Sequence, residues 1–213
     1  IVILKLGKNF LFESIARAIN HPVLDVFDEI SKNRDIKVLI ITNCPEKTAG
    51  DEYVDSCRRA IAEESDCKSI YRMCNFFDQI ILKIVGSNKL VIHADCGEII
   101  PLFLNISLAC DYRIVATHTI YQKPYLKMGL LPKGGGAFFL CKMLGHAKTS
   151  KLLMSDENIS ALDALELGIV DQVVPHKILE ETALQMANNF ASRKTHLFHV
   201  MSEAPEAFKD ASV

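Results

Sequence analysis

The sequence predicts an α/β fold in which parallel strands are joined by crossover helices. Segments with strand character alternate with segments of helical period, and the turns between them are short. The run from Val38 to Thr42 is apolar without interruption, which is typical of a strand buried on both faces of a largely parallel sheet. Parallel strands need long crossover connections, and the helical segments supply them.

The composition is that of one domain without a nucleic-acid partner. The chain has 213 residues, of which 49% are hydrophobic and 23% charged, enough for one substantial core. A formal net charge of -2, with mixed signs along the chain, gives no basic surface for nucleic acid. No apolar run reaches the roughly 20 residues that span a bilayer, and the start lacks the pattern of a signal peptide. We therefore expect a soluble, cytoplasmic protein with no membrane partner.

The seven cysteines favour buried free thiols. They form an odd set without a C-x-x-C pair, and several lie within apolar periodic runs. A disulfide framework or a zinc site is the less favoured alternative, and we expect no bound metal.

The first half of the chain predicts two strands and two helices. Ile1 to Leu6 has strand character, and Pro22 suits the first position of an amphipathic helix that runs to Lys32. After the apolar strand at Val38, a loop with Pro and Gly leads to a long helical pattern from Asp66 to Val85. Such a loop, placed after a buried strand, is a position where function is often found.

The stretch from Lys89 to Gly136 holds the predicted site. In chain order it contains a strand (Leu90 to Ala94), a turn (Cys96 and Gly97), a helix behind Pro101, a strand (Tyr112 to Val115) and a run of three glycines. Strand ends and helix starts meet here, and α/β proteins place their chemistry where unpaired N–H groups point out of a helix N-terminus.

The remaining elements follow at short intervals. They are a helix from Gly134 to Leu144, a segment from Lys148 to Met154, a helix from Ala161 to Leu167 capped by Ser160 and ended by Gly168, a strand from Val170 to Val174, and a helix around Leu179 to Phe190. From Arg193 onward no periodicity remains.

Four blocks together resemble the crotonase family, the enoyl-CoA hydratase/isomerase superfamily. The blocks are VLIIT…AGD (Val38 to Asp51), KLVIHADCG…LACDYRI (Lys89 to Ile114), GLLPKGGG (Gly129 to Gly136) and ISALDALELGIVDQVVP (Ile159 to Pro175). The resemblance implies a spiral of ββα units with two roughly perpendicular sheets, usually assembled as trimers or dimers of trimers. It also implies a crotonase-like core over residues 1–192, with residues 193–213 as the start of a C-terminal helical segment that is truncated here.

The resemblance also implies a chemistry. The family holds an acyl-CoA thioester so that two backbone N–H groups stabilise the enolate oxyanion. Aligned motifs assign these donors to Asp51 and Leu102. The resemblance assigns substrate contacts to Ala49, Gly50, Phe103 and Lys133. It implies no cofactor other than coenzyme A as part of the substrate.

This chain differs from the family at the positions that carry out the family's reaction. The family's Gly-Gly-Gly turn reads Pro101-Leu102-Phe103, and its two catalytic glutamates are replaced by Asn105 and Tyr125. Asn does not titrate and Tyr titrates near ~10, so neither group can activate water near neutral pH. Ordinary enoyl-CoA hydration is therefore not the reaction that we expect of this protein.

Each candidate residue has a structural alternative. Tyr125 can act as an acid or an orienting hydroxyl, or it is a packed loop tyrosine. Asn105 can hold water or a substrate oxygen, or it is an internally bonded helix residue. Glu98 is the carboxylate nearest in sequence to the lost site, while a solvated turn is the favoured alternative. His93, within the apolar strand, is better explained as a core histidine than as a base.

Two hypotheses from different classes follow. The favoured one is a divergent enzyme that stabilises an enolate with the N–H groups of Asp51 and Leu102, using Asn105 and Tyr125 as catalytic side chains, in isomerisation, decarboxylation or C–C cleavage. The alternative is a non-catalytic crotonase-fold subunit that serves as a binding or scaffold protein. Either protein is expected to form a homotrimer or a dimer of trimers.

Overall fold

The computed structural model describes residues 1–7, 10, 22–43, 67–123, 135–155 and 157–192. The helices are α1 (Pro22–Lys32), α2 (Cys67–Val85), α3 (Pro101–Ala109), α4 (Gly136–Leu144), α5 (His146–Leu153), α6 (Ala161–Leu167) and α7 (Leu179–Ser192). The strands are β1 (Val2–Leu6), β2 (Val38–Asn43), β3 (Leu90–Asp95), β4 (Glu98–Ile99), β5 (Tyr112–Ala116), β6 (Ile120–Tyr121), β7 (Ile159–Ser160) and β8 (Gln172–Val174). A short 3-10 turn, His176–Ile178, precedes α7. Residues 193–213 lie outside the described part, so their predicted helical character stays a prediction.

Two sheets organise these elements. The larger has five parallel strands in the order β1-β2-β3-β5-β8. The smaller has three short strands in the order β4-β6-β7, with β6 and β7 antiparallel. The prediction of an α/β fold with a parallel sheet is confirmed, and the uninterrupted apolar run at Val38 is a central strand buried on both faces.

The two faces of the larger sheet carry different helices. Because side chains alternate along a strand, Val91 of β3 packs toward α2 and α3, whereas Ile92 and Ala94 pack toward α7. Helix α3 is buried along its whole length from Pro101 to Leu108. The covered sheet therefore presents its carboxyl edge next to the start of α3.

An aromatic cluster anchors the helix side of the core. The ring of Phe77 in α2 lies 5.7 Å from that of Phe76 and 5.5 Å from that of Phe103, both in edge-to-face geometry, and Phe10 completes the group. Aromatic pairs of this kind each add about 0.5–1.5 kcal/mol beyond their buried area. The cluster holds α2 against α3.

Helix boundaries follow local signals where the sequence provides them. The Ser160 hydroxyl accepts the Asp163 N–H at 3.2 Å, and the Asp163 carboxylate accepts the Ser160 N–H at 3.3 Å, which forms a capping box at the start of α6. Gly168 ends α6 with a φ of 82°, a left-handed conformation that favours glycine. Both ends lie where the sequence predicts them.

The cysteine prediction is correct in part. Cys74, Cys110 and Cys141 form no disulfide, as predicted, but of these three only Cys110 is buried. Cys96, in contrast, is disulfide-bonded, which corrects the expectation of free thiols throughout. Its backbone N–H donates to the Asn43 carbonyl at 3.2 Å, so the pairing of β2 with β3 brings distant chain segments together at this point. Cysteine spacing along the sequence does not reveal that contact.

In the described part of the chain, no helix combines the length and the apolar character that a membrane crossing requires.

Candidate active site

Of the two predicted backbone donors, the structure describes the one at the N-terminus of α3. Ile100 precedes the helix with extended backbone (φ -75°, ψ 160°), and its own side chain does not cap the first turn. Pro101 occupies the first helical position, where its missing N–H costs nothing because that N–H has no acceptor within a helix. The first turn carries no acidic side chain, so the helix's own residues do not neutralise the positive end of its dipole.

The Leu102 N–H is the first available donor of this helix. The N–H groups of Phe103 and Leu104 both donate to the Ile100 carbonyl at 3.1 Å. Within the described ranges, the Leu102 N–H donates to no backbone carbonyl. A helix start with a donor left over in this way suits an oxygen that carries negative charge.

Asn105 is held tightly between α3 and α4. Its side chain is buried, with 1% of the residue exposed. A Cβ atom built on Gly136 would lie 2.2 Å from Asn105 Oδ1 and 3.2 Å from its Cγ, so the amide rests directly on the Gly136 backbone. Gly136 is required here for close approach and not for an unusual φ. Residue spacing does not predict this contact, and the third glycine of the run is the signal in the sequence that marks it.

Leu102 and Asn105 lie on one side of α3. They are three residues apart, a spacing that places two side chains on the same helix face. The Asn105 amide can donate and accept hydrogen bonds, but it cannot take up or release a proton near neutral pH. The arrangement can therefore bind an oxygen and orient a polar group, but it does not supply a general base.

Phe103 is also predicted to contact substrate. Its ring packs into the aromatic cluster, 5.5 Å from Phe77 and 6.2 Å from Phe10, and 3% of the residue is exposed. Its role in substrate binding therefore rests on the sequence resemblance alone. The other predicted site residues lie outside the described residues, and their roles stay predictions: Ala49, Gly50, Asp51, Tyr125 and Lys133.

Two carboxylates near the site are already engaged elsewhere. Glu98 of β4 accepts a hydrogen bond from Gln122 Nε2 at 2.9 Å. Asp95 lies in β3 and not in the following turn, is fully buried, and has its Oδ2 atom 2.9 Å from His93 Nδ1. His93 is thus a core histidine, as predicted. Each carboxylate thus has a polar neighbour, and the solvated turn expected for Glu98 is instead a strand residue that is half-buried.

Two titratable groups behind α3, Tyr121 and Cys110, are held neutral at ordinary pH. Burial, helped by the charge of Asp95, raises the pKa of Tyr121 well above its usual value, and Ser107 and Arg113 only partly oppose the shift. Burial likewise raises the pKa of the Cys110 thiol well above its usual value, and its Sγ donates to the Ile106 carbonyl at 3.1 Å. A protonated, buried thiol is not a nucleophile.

No cluster of three or more His, Cys, Asp or Glu side chains suited to a metal ion occurs among the described residues.

Comparisons with known proteins agree with one another. The family model described as "Enoyl-CoA hydratase/isomerase" matches residues 1–212. A "Fatty acid oxidation complex subunit alpha" from Shewanella amazonensis is 31% identical over 176 residues, which cover 80% of this chain and 24% of that protein. A "Trans-2-decenoyl-[acyl-carrier-protein] isomerase" from Streptococcus mutans is 28% identical over 160 residues, 75% of this chain and 60% of that protein. This chain thus spans less than two thirds of these relatives.

Solved structures share the fold. The enoyl-CoA hydratase from Bacillus halodurans superposes with a TM-score of 0.72 at 16% identity, covering 95% of this chain and 77% of that one. Identity at that level shows a common fold and does not by itself carry over an activity.

Proposed function

This chain belongs to the enoyl-CoA hydratase/isomerase family, and from that premise we propose that it binds an acyl-CoA or another acyl thioester and stabilises an enolate with backbone N–H groups. The observation that carries the proposal is the Leu102 N–H at the start of α3, which lacks a backbone acceptor among the described residues. The second donor is proposed to be Asp51.

The two donors act on charge that develops at the thioester oxygen. In a buried site, fixed N–H groups need no reorganisation when the carbonyl becomes an oxyanion, and losing one such donor typically costs about 10²- to 10³-fold in rate. The positive end of the α3 dipole adds to the same field because no acidic residue of its first turn opposes it.

The side chains favour a reaction other than hydration. Asn105 stands where a proton-transferring group would be needed, and it can only orient a polar group or a water molecule. Decarboxylation of a malonyl-type thioester, which carries its carboxylate on the α-carbon, needs no base, because the electrons of the breaking C–C bond move onto the thioester oxygen as carbon dioxide leaves. The α-carbon then takes a proton from solvent or from the proposed acid, Tyr125.

Isomerisation of an enoyl thioester passes through the same enolate. The Streptococcus mutans relative is named an isomerase, which supports this reaction as the second member of the proposed class. Isomerisation removes a proton from one carbon and returns it to another, so it demands more of Tyr125 than decarboxylation does.

A substrate panel in D₂O tests the proposal. A malonyl-type thioester, a 3-enoyl-CoA and a 2-enoyl-CoA are incubated with the protein and followed by NMR and mass spectrometry. We expect turnover of one of the first two with deuterium at the α-carbon, and no hydration of the 2-enoyl-CoA. Asn105→Ala should abolish turnover, while Asn189→Ala, an exposed helical position, should not. Binding without turnover of any substrate contradicts the proposal.

A non-catalytic binding or scaffold role is the second candidate. It is favoured by Asn105 and Tyr125, which replace both carboxylates of the family pattern. Calorimetric titration with coenzyme A and with acyl-CoA separates the two functions, because a scaffold binds neither and the proposed enzyme binds the acyl form. A homotrimer or a dimer of trimers is proposed in both cases, and light scattering after size exclusion measures it.

A further inference from the structure

A second polar group lies on the opposite side of α3 from Asn105. Ser107 follows Asn105 by two positions, which is about 200° around a helix axis. It is 1% exposed. The Tyr121 side chain, from β6 of the smaller sheet, is fully buried and close enough to the Ser107 hydroxyl for that hydroxyl to lower its pKa. Ser107 thus faces the smaller sheet, whereas Asn105 faces α4.

The larger sheet contributes three polar side chains to the same place. His93 and Asp95 of β3 share the sheet face of Val91, which is turned toward α2 and α3. Asn43 of β2 pairs in register with Asp95 and is 2% exposed. We call Asn43, His93, Asp95, Ser107 and Tyr121 the polar cluster.

The polar cluster is rich in buried groups that lack ideal hydrogen bonds. Side-chain polar atoms of all five residues are buried and meet no partner with hydrogen-bond geometry in the part of the chain that the structure describes. His93 Nδ1 and Asp95 Oδ2 approach to 2.9 Å, a contact distance, but the pair does not have hydrogen-bond geometry. Buried polar groups in folded proteins are paired with one another or with ordered water, and they are costly otherwise. Five buried polar residues that lack such pairing call for a structural explanation.

Helix α3 provides the reason, because its burial alone does not fix its orientation. Apolar side chains surround it, every residue from Pro101 to Leu108 is buried, and the side chain of Ile100 does not cap its start. The apolar side chains of α3 alone would let it rotate or slide with little loss of buried area. Turning Ser107 away from the other polar groups would leave buried polar atoms among apolar side chains, which is costly, so the cluster favours one orientation.

We propose that the polar cluster fixes the rotation and axial position of α3, which makes Tyr121 and Ser107 positioning residues for the Leu102 N–H and for Asn105. The cluster joins α3 to both sheets at once, since Tyr121 belongs to the smaller sheet and Asp95 to the larger. The consequence for catalysis rests on the proposed function, whereas the consequence for the helix does not.

Hydrogen exchange of the free protein tests the positioning directly. Tyr121→Phe removes only the hydroxyl, and Tyr112→Phe is the matched control, since Tyr112 is partly exposed and stacks on Phe190 at 5.7 Å. We expect the amides of α3 to exchange at least 10-fold faster in Tyr121→Phe, with those of α7 unchanged, and neither helix to change in Tyr112→Phe. Ser107→Ala should reproduce the effect if Tyr121→Phe does not fold.

Unchanged or slower exchange in α3 for both Tyr121→Phe and Ser107→Ala overturns the inference, because the cluster would then behave as ordinary core. In an enzyme of the proposed class, Tyr121→Phe should also lower kcat more than it raises KM, since coenzyme A binding does not depend on the cluster. A protein that binds no acyl-CoA refutes the proposed function but leaves the exchange result standing. The two failures are therefore distinguishable.

Discussion

Replacing Gly136 by alanine is expected to destabilise the protein and displace Asn105. The added Cβ would lie 2.2 Å from Asn105 Oδ1, whereas Cβ atoms in folded proteins stay beyond 3.0 Å from such neighbours. The amide must therefore move by about 1 Å within a closely packed interior. The expected response is a lower unfolding midpoint and lost activity.

The magnitude follows from two opposing effects. Forcing extra volume into a packed core costs about 1–3 kcal/mol. Alanine is a better helix former than glycine by about 1 kcal/mol, which offsets part of that cost because Gly136 is helical. The net loss is therefore at most about 2 kcal/mol, or at most about 8 °C in Tm for a chain of this length.

Thermal and denaturant unfolding of four variants checks the reasoning. Gly7→Ala is the matched control, because no atom of the described residues lies within 4 Å of a Cβ built at Gly7 and its φ is not positive, so its stability should stay within about 0.5 kcal/mol of wild type. In an Asn105→Ala background, Gly136→Ala should become neutral or stabilising, a coupling of about 1–3 kcal/mol. If Gly136→Ala has the same effect on stability with Asn105 present and with Asn105 removed, the described contact is wrong.

Three further outcomes follow from the core, a helix cap and a buried carboxylate. Phe77→Ala should cost about 3–5 kcal/mol in denaturant unfolding, while Phe138→Ala, with Phe138 66% exposed, should cost far less; equal losses would refute the aromatic cluster. Ser160→Ala should cost about 1 kcal/mol by removing the hydroxyl that caps α6, and an unchanged midpoint would contradict the capping box. Burial raises the pKa of Asp111 above 3.8 in the folded state. The stability linked to the protonated carboxyl is therefore fully present below pH 3.8 and is lost as the pH rises through the folded pKa. Between these two values the free energy of unfolding of wild type should fall relative to that of Asp111→Asn. Above the folded pKa the difference between the two proteins should stay constant.

Local signals in the sequence predict much of the fold. The start and end of α6 are encoded by Ser160 and Gly168, whose effects act within a few residues, and both bounds agree with the structure. The strand at Val38 is marked by its apolar run. Strands β4, β6 and β7 were missed because two residues carry no readable period. They exist because distant segments pair.

The site shows the same division between local and distant information. The helix start that presents Leu102 follows from Pro101 and the motif order. The contact of Asn105 with Gly136 joins residues on two helices, and no spacing rule connects them. His118 similarly has no partner predicted from sequence, yet its ring lies 5.3 Å from that of His176. Contacts of this kind depend on how elements pack, which a single sequence does not encode locally.

The central claim is that backbone N–H groups at the start of α3 recognise the thioester oxygen. Calorimetric titration with an acyl-CoA and with its thioether analogue, which lacks the carbonyl oxygen, measures that recognition without requiring turnover. Two hydrogen bonds worth about 1 kcal/mol each predict about 10- to 30-fold tighter binding of the thioester. Equal affinity for the two ligands would contradict the account, because the carbonyl would then make no productive contact with the Leu102 N–H.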